Sequence, residues 1–332
     1  MIKRGFSLFI YYLLLSFCFF WLAACAPDDG KTPPLKKLFT SDFMTLESFG
    51  DNIYMVRGVH SMPSKENRGF MSNAYGILTS EGWVLIDSLA TEKLSKRFVN
   101  LLFKVKKAPI IYVIITHYHM DHWFGASTLK GPNTKIIGHK TLKERFDQGL
   151  ATENLKRLNT MFKGIFNTVR LLPPDILISD SLTITAGGED FIIQSMTPAH
   201  TNTDITVYMS SRKLMFVGDL VNYKRVPNAH ADTSSSKNWL KCLEDMKKSE
   251  SKYFLSGHNK PLTKKALDFM TGYLLFLRQN IDKYQEEGLS YDQIKDKLNS
   301  KAYSDLKMSG DFHNRNIYRV FLELQNESLL SP

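Results

Sequence analysis

The chain has 332 residues, 43% of them hydrophobic, and a formal net charge of +10 at pH 7. That length and apolar content are ample for a sizeable core, and no internal repeat or low-complexity tract interrupts them. The charge is spread over Lys-rich helical stretches rather than gathered in one run, so it reads as a solvated surface or an attraction to anionic lipid head groups, and no nucleic-acid partner is expected.

Residues 1–25 read as a targeting segment. Lys3 and Arg4 form a basic start, and an apolar run from Phe6 to Ala24 follows. It ends in Leu22-Ala23-Ala24-Cys25, which resembles a bacterial lipoprotein processing box, where the Cys becomes the lipidated first residue of the mature chain. An uncleaved transmembrane anchor would give the same topology, with Lys3 and Arg4 inside and everything after the run exported. The expectation is a lipoprotein anchored to a membrane, its folded part on the periplasmic or extracellular side. Of the three cysteines, Cys18 would be removed and Cys25 lipidated. Cys242 is then alone, no disulfide can form within the mature chain, and Cys242 reads as a small core residue. Residues 26–40 carry Asp, Gly, Pro and Lys without periodicity and read as a tether.

A main domain is expected over residues 41–262. Alternating or short apolar runs predict strands over 52–57, 73–78 and 83–87, with helical spacing over 91–105. Between the first two strands lies a loop containing His60, Arg68, Phe70 and Met71. The run Ile110-Ile111-Tyr112-Val113-Ile114-Ile115 reads as a buried strand. Directly after it comes Thr116-His117-Tyr118-His119-Met120-Asp121-His122, three imidazoles and a carboxylate within six residues. A loop at a strand end can turn alternate side chains onto one point, with His117 and His119 to one side and Asp121 and His122 to the other. Neutral imidazole with a carboxylate suits a borderline divalent metal. Residues 141–168 read as helical, and His139 stands alone before them as a surface or supporting residue. Short strands and turns over 176–260 deliver His200, Asp219 and His258, each just past an apolar strand. Ser234-Ser235-Ser236 offers a cap to a helix with Trp239, Leu240, Leu243 and Met246 inward. His230 lies in the loop before it and is given no role. Residues 263–332 read as a C-terminal helical segment: an apolar helix over 266–284, a capping box of Ser290 with Gln293, and a last helix near 314–326 with His313 at its start.

The H-x-H-x-D-H pattern after a buried strand, with His200, Asp219 and His258 downstream, resembles the signature of the metallo-β-lactamase superfamily over roughly residues 50 to 262. The resemblance implies an α/β fold, a four-layer αββα sandwich, here with a C-terminal helical extension. It implies two Zn2+ ions, the first on His117, His119 and His200, the second on Asp121, His122 and His258, with Asp219 bridging them and iron as the alternative metal. It implies a hydrolase whose metal-bridging hydroxide attacks a carbonyl of a small-molecule substrate such as an ester, thioester or lactone, with Asp121 orienting the nucleophile and Asp87 bracing the metal loop from behind. Arg68, Phe70 and Met71 would border the groove. Asp at position 219 is similar to the thioesterase and lactonase branches rather than to the β-lactam hydrolases, while Ala199 stands where many members have Gly. The stretch from Thr197 to Tyr208, with Gly218-Asp219-Leu220-Val221 and Arg225-Val226-Pro227, is similar to the quinoprotein relay system zinc metallohydrolases, which implies a link to a quinoprotein dehydrogenase. Two other readings share these residues: a sulfur dioxygenase with a single iron, and a non-enzymatic periplasmic accessory protein.

Overall fold

The computed structural model describes residues 32–229, 233–299, 303 and 305–330. The expected targeting segment, the start of the expected tether and His230 lie outside the described residues.

The first sheet is built in chain order from β1 (Lys36–Ser41), β2 (Met44–Ser48), β3 (Ile53–Val56), β4 (Ala74–Leu78), β5 (Trp83–Ile86), β6 (Ile110–Ile114), β7 (Lys135–His139) and β8 (Ile176–Ile178). Pairing is antiparallel as far as β5 and parallel from β5 to β8. The parallel half needs crossovers. They are α1 (Glu92–Val105), the short α2 (Met120–Trp123) and α3 (Ala126–Leu129), and the pair α4 (Lys140–Asp147) and α5 (Leu150–Met161). The second sheet holds β9 (Ser181–Ala186), β10 (Glu189–Ser195), β11 (Ile205–Met209), β12 (Leu214–Gly218) and β13 (Tyr253–Ser256), in the order β13-β12-β11-β10-β9. Helix α6 (Ser236–Lys248) connects β12 to β13, and α7 (Lys264–Glu286), α8 (Tyr291–Asn299) and α9 (Ser309–Leu330) follow.

Side-chain alternation sets the layers. Along β5, Val84 and Ile86 join Phe216 and Leu255 between the sheets, while Trp83 and Leu85 join Phe98 and Leu102 of α1 on the outer face. The same split separates Ile114 from Val113 in β6. In β12, Leu214 and Phe216 face the other sheet, and Met215 and Val217 face Trp239 and Leu243 of α6 and Leu267 and Met270 of α7. A strand covered on both faces must read as a near-continuous apolar run, and these do. The result is the expected αββα sandwich. Its C-terminal helices share the apolar layer of α6, since Ile317 and Val320 of α9 pack with Tyr273 and Leu277 of α7.

Several expectations need correction. Residues 36–40 belong to β1, which pairs antiparallel with β2, so the last part of the expected tether is a strand of the first sheet. No apolar periodicity marks this edge strand, because its six side chains are all exposed or half-buried and most are polar or lysine. Residues 162–168 are turns rather than helix. Helix α9 starts at Ser309, so His313 lies inside it, and its Nδ1 is 3.0 Å from the Tyr273 hydroxyl. Among the described residues, no helix is long and apolar enough to cross a membrane.

Candidate metal centre

The site forms where β5, β6, β12 and β13 end on the same edge of the sandwich. β5 and β6 run parallel, as do β12 and β13, so their carboxyl ends lie side by side, the usual place for a ligand site in such sheets. β6 stops at Ile114, and a short loop later α2 begins, with His119 as an extended N-cap. That turn sends His117 and His119 one way and carries Asp121 and His122 back on the first helical turn. His200 comes from the loop between β10 and β11, and Asp219 and His258 from the residues just past β12 and β13.

All seven side chains expected in the site converge. They form two groups of potential donors, one of His117, His119, His200 and Asp219, the other of Asp121, His122 and His258. In the first, His117 Nε2 and His200 Nε2 lie 3.1 and 3.0 Å from His119 Nδ1. In the second, Asp121 Oδ2 is 3.5 Å from His122 Nε2 and 3.6 Å from His258 Nε2. Asp219 lies between them. Its Oδ2 is 3.0 Å from His258 Nε2 and 3.6 Å from His200 Nε2, and its Oδ1 is 3.4 Å from His122 Nε2.

The partners behind the rings fix which nitrogens face inward. His258 Nδ1 lies 2.8 Å from the Met71 carbonyl, which can only accept, so Nδ1 carries hydrogen and Nε2 presents a lone pair. His122 Nδ1 likewise donates to Asp87 Oδ2 at 2.7 Å. The Thr116 hydroxyl donates to Asp87 Oδ2 at 2.9 Å, which leaves its oxygen to accept from His117 Nδ1 at 3.1 Å. Asp87 also accepts from the Thr116 amide at 2.8 Å. One buried carboxylate thus orients a ring in each group, as the sequence reading expects of Asp87.

The donor set fits a pair of divalent ions. Asp121 Oδ2, Asp219 Oδ1 and His122 Nε2 are buried without a hydrogen-bond partner, which is costly unless a cation takes that place. An ion bonded to imidazole at about 2.0–2.1 Å in tetrahedral geometry holds its nitrogens roughly 3.3 Å apart, close to the spacing present here. The backbone is shaped for this approach. A Cβ on Gly257 would lie 2.2 Å from Asp219 Oδ1 and 2.6 Å from His122 Cε1, so only glycine fits there.

The two groups differ in charge. Burial holds His117 well below its ordinary pKa, helped by the neighbouring imidazoles, and holds His200 at about 4. Burial also works against a charged His122, but Asp121, Asp87 and Asp219 outweigh it and raise its pKa well above 6.5. The same pairing lowers Asp219 despite its burial, through His258 and His122.

A cleft opens over the cluster, lined by His119, Asp121, Asp219 and His258 and walled by Met71, Leu158, Met161 and Phe162. Of the residues expected to border the groove, Met71 does so. Phe70 is buried in the outer core, and Arg68 pairs with Asp42 at 2.9 Å and sits over Phe43. His139 caps α4, its Nδ1 accepting from the Thr141 amide at 3.2 Å. His60 lies close behind the site, Nε2 donating to the His258 carbonyl at 2.7 Å. Arg315, one of the residues at the start of the last helix that could cap it or meet the groove, lines the cleft, and sequence reasoning missed Arg157, Arg225 and Phe312, which also line it. Nothing in their local sequence separates them from ordinary helix and loop residues.

Comparison with known proteins agrees with this architecture. Residues 67–258 match the family model of the metallo-beta-lactamase superfamily. A curated relative, glyoxylase B2 of Dictyostelium discoideum, is 26% identical over 211 residues, 60% of this chain and 63% of its own length. A type 2 metallo-beta-lactamase of Elizabethkingia meningoseptica is 23% identical over 177 residues, 53% of this chain and 61% of its own. The chain therefore spans under two thirds of the length of these relatives. Among solved structures, a stereoselective inverting sec-alkylsulfatase from Pseudomonas sp. superposes with a TM-score of 0.66 at 20% identity, over 86% of this chain and 52% of the sulfatase. A metallo-beta-lactamase family protein of Thermus thermophilus gives 0.62 at 15% identity, over 85% of this chain and 95% of that one. The matched region runs from the loop before β4 to His258 and takes in the whole donor cluster: this chain belongs to the metallo-beta-lactamase superfamily.

Proposed function

We propose that the chain is an exported hydrolase that holds two divalent ions, zinc by its mixture of imidazole and carboxylate donors. His117, His119 and His200 would hold one ion, Asp121, His122 and His258 the other, and Asp219 both. The observation that carries this reading is Asp219 standing between the two groups, with its Oδ1, Asp121 Oδ2 and His122 Nε2 buried and without a hydrogen-bond partner. When bound, such a pair would lower the pKa of water toward about 7 and polarise the carbonyl or sulfuryl group under attack through its oxygen. The chain supplies the rest. Asp121, with Oδ2 unpartnered between His122 and His258, orients the attacking water and takes up its proton. Asp87 fixes the tautomers of His117 and His122. The methionine and phenylalanine walls keep bulk water from the substrate.

The substrate class is an ester, thioester, lactone or sulfate ester, the last added because a sec-alkylsulfatase shares the fold. Leu22-Ala23-Ala24-Cys25 supports export and lipid anchoring, and the Thr197–Tyr208 and Arg225-Val226-Pro227 stretches support a link to a quinoprotein dehydrogenase. Metal quantitation on purified protein is the first test, followed by a panel of those substrates. Two zinc equivalents with turnover support the reading. One iron with oxygen consumption would favour a sulfur dioxygenase, and metal-loaded protein inert across the panel would favour an accessory protein. Lipid labelling of wild type and Cys25→Ser tests the anchor: a variant that remains labelled removes it.

A further inference from the structure

Arg225 is an anomaly in this site. It is 2% exposed, yet among the described residues no carboxylate lies within ion-pair distance of its guanidinium. Its only hydrogen bond from the guanidinium, among the described residues, runs from one terminal nitrogen to Asn222 Oδ1 at 2.9 Å, and Nε has no partner. A buried guanidinium without a counter-charge is costly by several kcal/mol, so it persists where the charge is used. Asp219 and Asp121 are its main compensating charges. Both face the donor cluster, and with divalent ions in place their charge is spent and the cleft is left positive.

The surroundings hold Arg225 in place rather than neutralise it. Asn222 links it to the Asp219 carbonyl through Nδ2 at 3.0 Å. The next residue, Val226, donates to the Lys307 carbonyl at 2.9 Å. Asn316 of α9 clamps the same loop, accepting from the Ala229 amide and donating to the Pro227 carbonyl, both at 2.8 Å. The guanidinium lies 5.7 Å from the Phe312 ring centroid. Exposed Arg157 of α5 and Arg315 of α9 stand at the same cleft, and among the described residues the only acids lining it are Asp121 and Asp219. A fixed, planar, partly unsatisfied guanidinium at the floor with two arginines at the rim matches oxyanion recognition.

We propose that Arg225 is the specificity-determining residue of this site and binds a carboxylate or sulfate oxyanion of the substrate, whose apolar remainder lies against Met71, Leu158, Phe162 and Phe312. The C-terminal helices thereby become part of the binding site, since α9 supplies Phe312 and Arg315 and clamps the Arg225 loop. The inference rests on the hydrolase reading only for which bond is cut; binding is tested separately. Calorimetric titration of the metal-loaded full chain with octanoate, octyl sulfate and neutral octanamide provides that test. One of the two anions should bind at least about tenfold more tightly than octanamide, and which one does identifies the oxyanion. Arg225→Gln should erase about 10–100-fold of that preference while metal content stays at two equivalents, and Arg225→Lys should restore part of it. Octanamide binding as tightly as both anions, or Arg225→Gln keeping the wild-type preference, would overturn the proposal. With paired esters bearing a free carboxylate or its amide, the ratio of their kcat/KM values should fall by a similar factor in Arg225→Gln. If the metal-loaded protein cleaves nothing across the ester, thioester, lactone and sulfate-ester panel while the anion preference holds, the hydrolase reading fails and the anion site stands. If both are cleaved without preference for charge, the anion site fails and the hydrolase reading stands.

Discussion

The two donor groups are separated by one shared carboxylate and held by different means. The first gathers three imidazoles, and burial keeps His117 and His200 neutral, so their nitrogens are ready to bind without releasing a proton. The second has one carboxylate and two imidazoles, and His122 sits 2.7 Å from Asp87, 3.5 Å from Asp121 and 3.4 Å from Asp219. That group demands a positive charge, which a proton on His122 or a metal ion can provide. The first group is therefore a neutral cage and the second a charged one. The second group should therefore be the more sensitive to mutation and to pH.

The largest effects should come from the hinge between them. Asp219→Ala removes the carboxylate common to both groups, so metal content should fall from two equivalents toward one, with the three-imidazole group keeping its ion. A stoichiometry still near two would mean that Asp219 is not shared between the two groups. Gly257→Ala attacks the same point without deleting a donor, because the new methyl would crowd Asp219 Oδ1 and His122 Cε1. Displacement of about an ångström at such a centre costs on the order of 100-fold in rate, and kcat/KM should drop at least that much. Wild-type turnover in Gly257→Ala would mean that the close approach is not needed.

Asp87→Ala should weaken metal binding by about 10–100-fold, the usual cost of losing the partner that orients a ligating imidazole. It touches both groups unequally, bonding directly to His122 and only through Thr116 to His117. Competition titrations with a chelator should show the second ion loosened more than the first. Equal loosening would place the effect in the fold of the loop rather than in ring orientation.

Much of this was legible in the sequence because the residues that carry it repeat a strict local pattern. Three imidazoles and a carboxylate crowd one strand end, Asp219 and His258 each follow a short apolar run, and His200 follows a strand with apolar residues at its centre. Helix α6 was readable for the same kind of reason: Ser235 caps it, accepting from the Asn238 amide at 3.2 Å, and Trp239, Leu243 and Met246 turn inward. What escaped the sequence depends on distant contacts. β1 shows no period because its edge is solvated, so it was absorbed into the tether. Arg225 is buried near α9, far downstream in sequence, and a basic residue beside Lys224 carries no mark of that burial.

Protons should tell the two groups apart. In the ion-free protein His122 is held above its ordinary pKa of 6.5, so binding to the second group must expel a proton until the pH exceeds that raised value. Apparent affinity there should rise with pH, by up to about tenfold per unit for one proton displaced. His117 and His200 are held below 6.5, the latter at about 4, so the first group should show little dependence near neutrality. Zinc titrations in buffers of different ionisation enthalpy, at about pH 6 and about pH 8, read the protons released at each step. Equal proton release from both steps would remove the distinction between a neutral and a charged cage.

The smallest expected effect tests how the first group is held from outside. The His200 loop leans on α6: the Ser235 amide donates to the Ala199 carbonyl at 2.9 Å, and the Trp239 ring stands edge-on to His200 with centroids 5.4 Å apart. The start of α6 is in turn held by Glu323 of α9, which accepts from Ser235 Oγ at 2.8 Å, Ser236 N at 2.9 Å and Ser236 Oγ at 2.7 Å. Burial disfavours the Glu323 charge, but these donors outweigh it and lower its pKa below 4.5. A carboxylate depressed on folding contributes stability above its unfolded value and loses it as pH falls through the folded one. Glu323→Gln should therefore cost about 1–2 kcal/mol of stability at pH 7, from a lost anion at a helix start and weaker hydrogen bonds. Chemical denaturation should show that gap narrowing as the pH drops below 4.5. Because the change reaches His200 only through α6, the second ion should be untouched and the first loosened slightly. A gap that stays constant well below that pH would mean that the charge of Glu323 is not what pins α6, and loosening of the second ion instead of the first would mean that α6 does not hold His200.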